Sequence, residues 1–274
     1  MRRITYIFHG RFSGLSFWRH ISAAFALALF LGVTLGAQES AAPPGAVADS
    51  AGPPLALIAA EPAYTRLNSW SIFGEYAPNS RHIILGVSED RRLATGGVEY
   101  ARRLALKPRF ELDWLIQVRP VIFERDPELI GYKDVATGQI VLPIPPERVV
   151  LVTHTEFTLL PQNITATEAY SSQWTYAGGA NPIGLKFNFR PRHRFQPFVR
   201  SMCGFIWGTR QIPVPGTTAF NFDFEFGGGF ETYISGTHSF RVGYSIHHMS
   251  NAYVGSIDPG VDSQLMQFTY SFGH

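Results

Sequence analysis

Three side chains near the carboxyl end could together carry out acyl transfer: His248, Ser250 and Asp262, within YSIHHMSNAYVGSIDPGVD. A β-strand sends residues i and i+2 to the same face. A strand over Val242–Ser250 therefore sets an imidazole beside a hydroxyl, in a row with Val242, Tyr244 and Ile246. Arg241, Gly243, Ser245 and His247 fall on the other face. The next run, Gln264–Phe272, alternates again, with Met266, Phe268, Tyr270 and Phe272 opposed by Gln267, Thr269 and Ser271. Asp262 has the parity of that apolar row. Asp258-Pro259-Gly260 is a turn signal, and a hairpin there folds Asp262 back beside His248. In such a set Ser attacks, His takes its proton, and the carboxylate holds the imidazole in the working tautomer. The expected catalytic residues are thus Ser250, His248 and Asp262, on an apolar, outward face.

His248-Met249-Ser250-Asn251-Ala252, followed by Pro259-Gly260-Val261-Asp262, resembles the C-terminal signature of the outer-membrane lipid A 3-O-deacylases (PagL type, often labelled acyloxyacyl hydrolases). A weaker similarity runs through Asn181–Phe189, NPIGLKFNF. The resemblance implies an eight-stranded outer-membrane barrel that hydrolyses an ester-linked acyl chain of lipid A. It implies Ser250 as nucleophile, His248 as base, Asp262 as the acid and Asn251 as oxyanion support. Asp262 stands where the best-known members carry Glu, and Asp258 where some carry Asn.

Composition agrees with a lipid-facing β protein. Charged residues are only 16% and aromatics 14%, led by 22 Phe; an average soluble domain carries about 25% charge. A net charge of +2 gives no nucleic-acid reading. The lone Cys203 excludes an intrachain disulfide and offers no zinc cluster. His247 and His248 are adjacent, so on a strand they point apart and cannot chelate one metal. The reading therefore contains neither cofactor nor metal. The amino terminus reads as an export signal: Arg2, Arg3, Arg11 and Arg19, then the apolar ISAAFALALFLGVTL, with cleavage near Ala37. The expected organisation is a signal peptide over 1–37, a flexible Pro/Ala-rich lead-in over 38–67, and a barrel over 68–274.

Period-2 runs recur from Ser69 onward. They cover Ser69–Tyr76, Ala94–Ala105, Phe110–Ile122, Ile183–Arg190, Phe195–Trp207, Phe220–Tyr233 and the two runs above. That makes an all-β chain of eight strands. A soluble sandwich would turn the apolar rows inward; an outer-membrane barrel turns them to lipid. The polar rows hold Glu99, Arg103, Glu111, Asp113, Arg119, Lys186, Glu225 and Arg241, of both signs, as a closed lumen requires. Connections alternate, short at Lys107–Arg109, Pro191–Arg194 and Ser235–His238, longer at Ala77–Leu93, Glu124–Ser171, Gly208–Thr218 and Asn251–Val261. Short turns mark the periplasmic side, which puts His248 and Ser250 at the outer end of the seventh strand. In Glu124–Ser171, Val149–Thr153 and Glu156–Leu160 read as a hairpin above the membrane or as further strands. Arg91, Arg92 and Arg210 of the outer loops could meet lipid A phosphates, though solvated loop charge is the plainer expectation.

The function expected is an outer-membrane esterase acting on lipid A through a Ser/His/Asp mechanism, with lipopolysaccharide and outer-membrane lipid as partners. A homodimer is left open. The alternatives are a non-catalytic structural or surface-interaction barrel and an esterase for other envelope lipids.

Overall fold

The structure is a computed structural model and describes residues 64–274. It contains ten strands: β1 Asn68–Ala77, β2 Arg92–Leu106, β3 Phe110–Asp134, β4 Ile140–Arg148, β5 Phe157–Leu159, β6 Ile164–Phe189, β7 Phe195–Ile212, β8 Thr218–Tyr233, β9 His238–Ser250 and β10 Val261–Gly273. They follow one another in a single sheet, β4-β3-β2-β1-β10-β9-β8-β7-β6-β5. β3 also pairs with β6, antiparallel, from Phe110↔Phe189 to Asp134↔Ala166. That pairing closes β1, β2, β3, β6, β7, β8, β9 and β10 into an eight-stranded antiparallel ring. β4 and β5 lie along the parts of β3 and β6 that run past its outer end.

The expected signal peptide lies outside the described residues, as does most of the lead-in. The last residues of the lead-in are packed: Tyr64 lies against Tyr233, and Arg66 bonds Glu231 at 2.6 Å. The segment between Glu124 and Ser171 is mostly strand, running past the outer end of the ring. β3 and β6 rise through it as paired arms, Val149–Thr153 belongs to no strand, and Glu156–Leu160 yields only the three residues of β5. The third outer connection is shorter than expected, because β7 runs on past a register irregularity after Trp207 to Ile212.

Alternation decides which side chains meet lipid. Trp70, Phe222, Phe226, Phe230, Val242, Tyr244 and Phe268 are exposed on the outer wall, while Asp223, Glu225 and Arg241, one residue out of phase, are buried in the lumen. A soluble surface of this size would not expose so continuous an apolar band; a bilayer demands it. One irregularity shifts the phase of β3. Between Arg119 and Ile122 the β3–β6 register slips, and Pro120, which has no N–H to donate, sits in that bulge. Beyond it the outward row of β3 continues through Val121, Phe123 and Arg125.

The lumen is layered. At the inner mouth Lys186 lies 3.2 Å from Asp113 and 3.0 Å from Glu231. In the middle Arg119 bonds Asp223 at 2.6 Å and Glu225 at 3.0 Å. Arg200 bonds Glu75 at 2.7 Å and also Glu225, and Arg241 bonds Glu99. Towards the outer end the inward rows turn apolar: Leu93, Ile122, Ala177, Ile206, Met249 and Leu265 form a buried cluster. The sequence reading expected polar filling throughout.

Single cysteines at Phe222 and Phe226 should react with a lipid-soluble probe, and cysteines at Asp223 and Glu225 should not; the reverse labelling would turn the barrel inside out. Replacing Arg200 by Leu strands Glu75 without its cation and leaves Glu225 with Arg119 alone. Such a change costs about 3–5 kcal/mol when one partner of a buried pair is removed. The barrel should unfold at lower temperature by heat-modifiable gel mobility, and an unchanged transition would show that these carboxylates are neutralised elsewhere.

Candidate functional site

β9 and β10 are joined by residues 251–260, and their register sets Asp262 directly opposite His248. The pairing matches the hairpin read from the sequence. His248 Nδ1 donates to Asp262 Oδ1 at 2.6 Å, which leaves Nε2 to serve a hydroxyl. Ser250 is two residues on, in the same row, about 7 Å along the strand. No hydrogen bond joins its hydroxyl to His248 among the described residues; such contacts commonly tighten only when substrate is bound.

The row has the outward parity expected, but it is not bare. Tyr244, lower on the same strand, is 49% exposed, whereas His248 is 9% and Ser250 8% exposed. The first outer loop, residues 78–91, crosses the rim from β1 to β2 and comes down onto Asp262. Asp262 Oδ2 accepts three consecutive backbone N–H bonds from it: Ile83 at 3.0 Å, Ile84 at 2.5 Å and Leu85 at 3.0 Å. Successive amides turned toward one oxygen form an anion nest. Hydrogen bonds to the ionised form hold a carboxylate charged. One oxygen of Asp262 therefore meets the loop and the other meets the imidazole.

The loop is tied down along its length. Arg81 N donates to Asp262 O, Val87 N to Pro259 O and Ser88 N to Gly260 O. Ser80 Oγ donates to Ser88 O and accepts from Arg91 N. Gly86 is where the loop comes closest to the site: a Cβ there would lie 2.5 Å from Asp262 N and 2.9 Å from its Cγ. Only glycine permits that approach. The sequence reading treated residues 77–93 as an ordinary connection. Its signal was weak, because backbone amides carry no residue type.

Asn251 is buried. Its backbone N–H donates to Asp258 Oδ1 at 3.2 Å, and its Nδ2 donates to Ile257 O at 2.9 Å. Asp258 Oδ2 also accepts from Tyr253 N at 3.2 Å. Ala252 and Tyr253 both have left-handed φ, 51° and 61°. Asn251 and Asp258 together brace this tight turn just past Ser250, and Asn251 Oδ1 has no partner among the described residues.

On the wall below the His248–Asp262 pair lies a cavity of about 310 Å³, lined by Asn79, Arg81, Ile83, Tyr244, Gln264 and Met266. Tyr244 faces Met266, and Ile246 faces Gln264, in the register steps under His248 and Asp262. His247 points the other way, into the lumen, with Nε2 3.4 Å from Asp223. The two adjacent histidines therefore share no ligand. The arginines of the outer loops are not simply solvated. Arg91 is buried between Asp126 at 3.3 Å and Glu124 at 3.6 Å and donates to Val149 O at 2.6 Å. Arg210 donates to Thr175 Oγ1 at 2.7 Å and lies 3.6 Å from Asp126. Arg92 alone of the three is free of ion pairs among the described residues.

The nest makes a structural prediction. Asp262→Ala should speed hydrogen exchange at the amides of Ile83, Ile84 and Leu85 while leaving the strand amides of β9 protected. Equal protection in the variant would mean that the loop holds its shape without the carboxylate.

Residues 154–271 match the family model described as lipid A 3-O-deacylase (PagL). That stretch is of the PagL type, as the residues around His248 and Asp262 implied. No curated protein matches the chain. Among solved structures, the outer membrane enzyme PagL is similar at 12% identity and a TM-score of 0.41, over 74% of this chain and 99% of that one. Neisserial surface protein A is similar at 8% identity and a TM-score of 0.38, over 76% of this chain and 97% of that one.

Proposed function

We propose that this chain, whose residues 154–271 are of the lipid A 3-O-deacylase family, is an outer-membrane esterase that removes an ester-linked acyl chain from lipid A by a Ser/His/Asp mechanism. One observation carries the reading. A carboxylate bonds an imidazole at 2.6 Å, with a serine in the same row, on the outer wall of a barrel whose exposed surface is apolar. Polar side chains on a lipid-facing wall are expensive, and a bonded pair with a serine in the same row needs a purpose.

In this mechanism Ser250 Oγ attacks the ester carbonyl of an acyl chain in the outer leaflet. His248 Nε2 takes the hydroxyl proton, then returns it to the departing sugar oxygen. Asp262 keeps the Nδ1 proton in place and supports the imidazolium that forms. An acyl-Ser250 intermediate results, which water, activated by the same imidazole, hydrolyses. The bonds from residues 83–85 leave Asp262 Oδ2 occupied, so only Oδ1 faces the ring, and the imidazole has one orientation to adopt. Asn251, next in sequence to Ser250, would turn its second Nδ2 hydrogen to the developing oxyanion. The cavity bounded by Ile83, Tyr244 and Met266 would take the acyl chain; its walls are apolar below and polar at Arg81 and Gln264.

Ser250→Ala and His248→Ala should each lower fatty-acid release from lipid A by roughly 10⁴-fold or more, the scale at which triad members act. The double variant should be little worse than either single one, because residues acting as a unit are non-additive. Asp262→Asn should lose orders of magnitude with the barrel intact. Heat-modifiable mobility reports folding in each case. A folded Ser250→Ala protein with the parental rate would leave the non-catalytic barrel as the better account. Release from phospholipid vesicles at the rate seen with lipid A would shift the substrate to envelope lipids in general.

A further inference from the structure

On the outer wall, between the first outer loop and the arms of β3 and β6, two arginines face each other without a carboxylate. Arg92 and Arg125 are register partners across β2 and β3. Arg92 is exposed and Arg125 half-buried. Like charges set directly opposite one another on a sheet repel. The lumen arginines Arg66, Arg119, Arg200 and Arg241, and Arg91, Arg148 and Arg210 at the outer end, all reach carboxylates. Among the described residues neither Arg92 nor Arg125 does, and Arg125 makes one side-chain bond, from Nε to Ser172 Oγ at 2.7 Å.

The two border a cavity of about 300 Å³ together with Asn79, Asp90, Ser171 and Ser172. The wall thus offers two guanidinium groups, an amide and two hydroxyls, against the single carboxylate of Asp90. Just beneath it lies an aromatic cluster. Trp174 is the β6 partner of Arg125, and Tyr176 the partner of Phe123. Phe123 lies 6.5 Å from Trp174 and 5.6 Å from Tyr176, and all three rings are exposed to the outside. Exposed aromatic rings on an outer-membrane barrel gather at the level of the headgroups. The cavity therefore stands at the depth where lipid phosphates lie, on the side of the membrane that the long loops occupy.

We propose that Arg92 and Arg125 form a phosphate site that holds the headgroup of an outer-leaflet lipid against the barrel. A guanidinium presents a planar fork of donors that matches phosphate oxygens. Phosphate between the two removes their mutual repulsion. The hydroxyls of Ser171 and Ser172 and the Asn79 amide can donate to its remaining oxygens. The site rests on the outer wall facing lipid and not on the hydrolytic reading, so it can stand or fall separately.

The test is a binding measurement on the full chain folded in neutral detergent micelles at low salt. A Ser250→Ala background keeps turnover from depleting the lipid. Phosphorylated lipid A and the same lipid stripped of its phosphates are titrated into three proteins: the parent, Arg92→Gln/Arg125→Gln, and Arg109→Gln/Arg192→Gln. The last removes equal charge from turns at the other end of the barrel. We expect the first pair to weaken binding of the phosphorylated lipid by roughly tenfold or more, given about 1 kcal/mol per basic residue at a lipid surface. The control pair should keep parental affinity, and the stripped lipid should not tell the three proteins apart. Equal weakening by both pairs would reduce the effect to net charge and overturn the site. So would unchanged affinity in the Arg92/Arg125 variant. Inorganic phosphate that competes as well as the phosphorylated lipid, mole for mole, would overturn the lipid assignment and leave a general anion site.

Discussion

A closed eight-stranded barrel has an interior that only side chains can fill, and here that interior is built around Arg200. Its guanidinium reaches Glu75 on β1, Glu99 on β2 and Glu225 on β8. Arg119 shares Glu225, and Arg241 shares Glu99. One cation on β7 thus links strands across the whole lumen. Unpaired, any of these charges would be costly away from water. Paired, they make the inward row of each strand unsuitable for lipid and the outward row the only face a bilayer can accept. The constraint fixes which face is which, and every placement on the outer wall follows from it, including that of His248, Ser250 and Asp262.

The outer end is closed by a different device. Above the charged layer the lumen turns apolar, with Ile122, Met249 and Leu265 among the filling. Above that, Arg91, Arg148 and Arg210 gather on Asp126. Arg91 also holds the carbonyls of Val149 and Val150, and Arg148 those of Gln211 and Pro213. These bonds tie three outer connections to one carboxylate. The first of those connections is the loop whose amides meet Asp262. Rigidity at the rim is thereby passed to the site, and a loop anchored at Arg91 can present three N–H groups to a single oxygen.

Much of this was legible in the residues. Period-2 alternation marked all eight ring strands, because a wall with lipid on one side and ions on the other demands it at every step. The Asp258-Pro259-Gly260 turn and the parity of Asp262 put the carboxylate opposite the imidazole of His248. Other features were not legible, for particular reasons. Arg125 lies beyond the bulge at Pro120, and a strict two-residue count carried up from Val118 would place it in the lumen. Arg91 and Arg210 read as loop charge, because nothing local shows that Asp126 waits between them. The cover over Asp262 comes from Ile83, Ile84 and Leu85, far away in the chain, and acts through backbone atoms that no motif can encode. Gly86 was its one visible trace, and a single glycine in a loop has many ordinary explanations.

The short acid makes sense once that cover is in view. Aspartate is one methylene shorter than the glutamate of the family's best-known members, so the carboxylate stays close to its own strand. Direct register with His248 brings Oδ1 within 2.6 Å of Nδ1 without a longer arm. The shortfall falls on the other oxygen, which would face an apolar wall with no donor from β9 or β10. The first outer loop fills that gap, and it can do so only by coming down onto the strand. Gly86 permits it, since the Cβ of any other residue would strike the Asp262 backbone. Acid length, loop path and glycine position are therefore one solution: a shorter acid requires the rim to come to it, and the rim is held there by the same buried arginine that closes the barrel mouth.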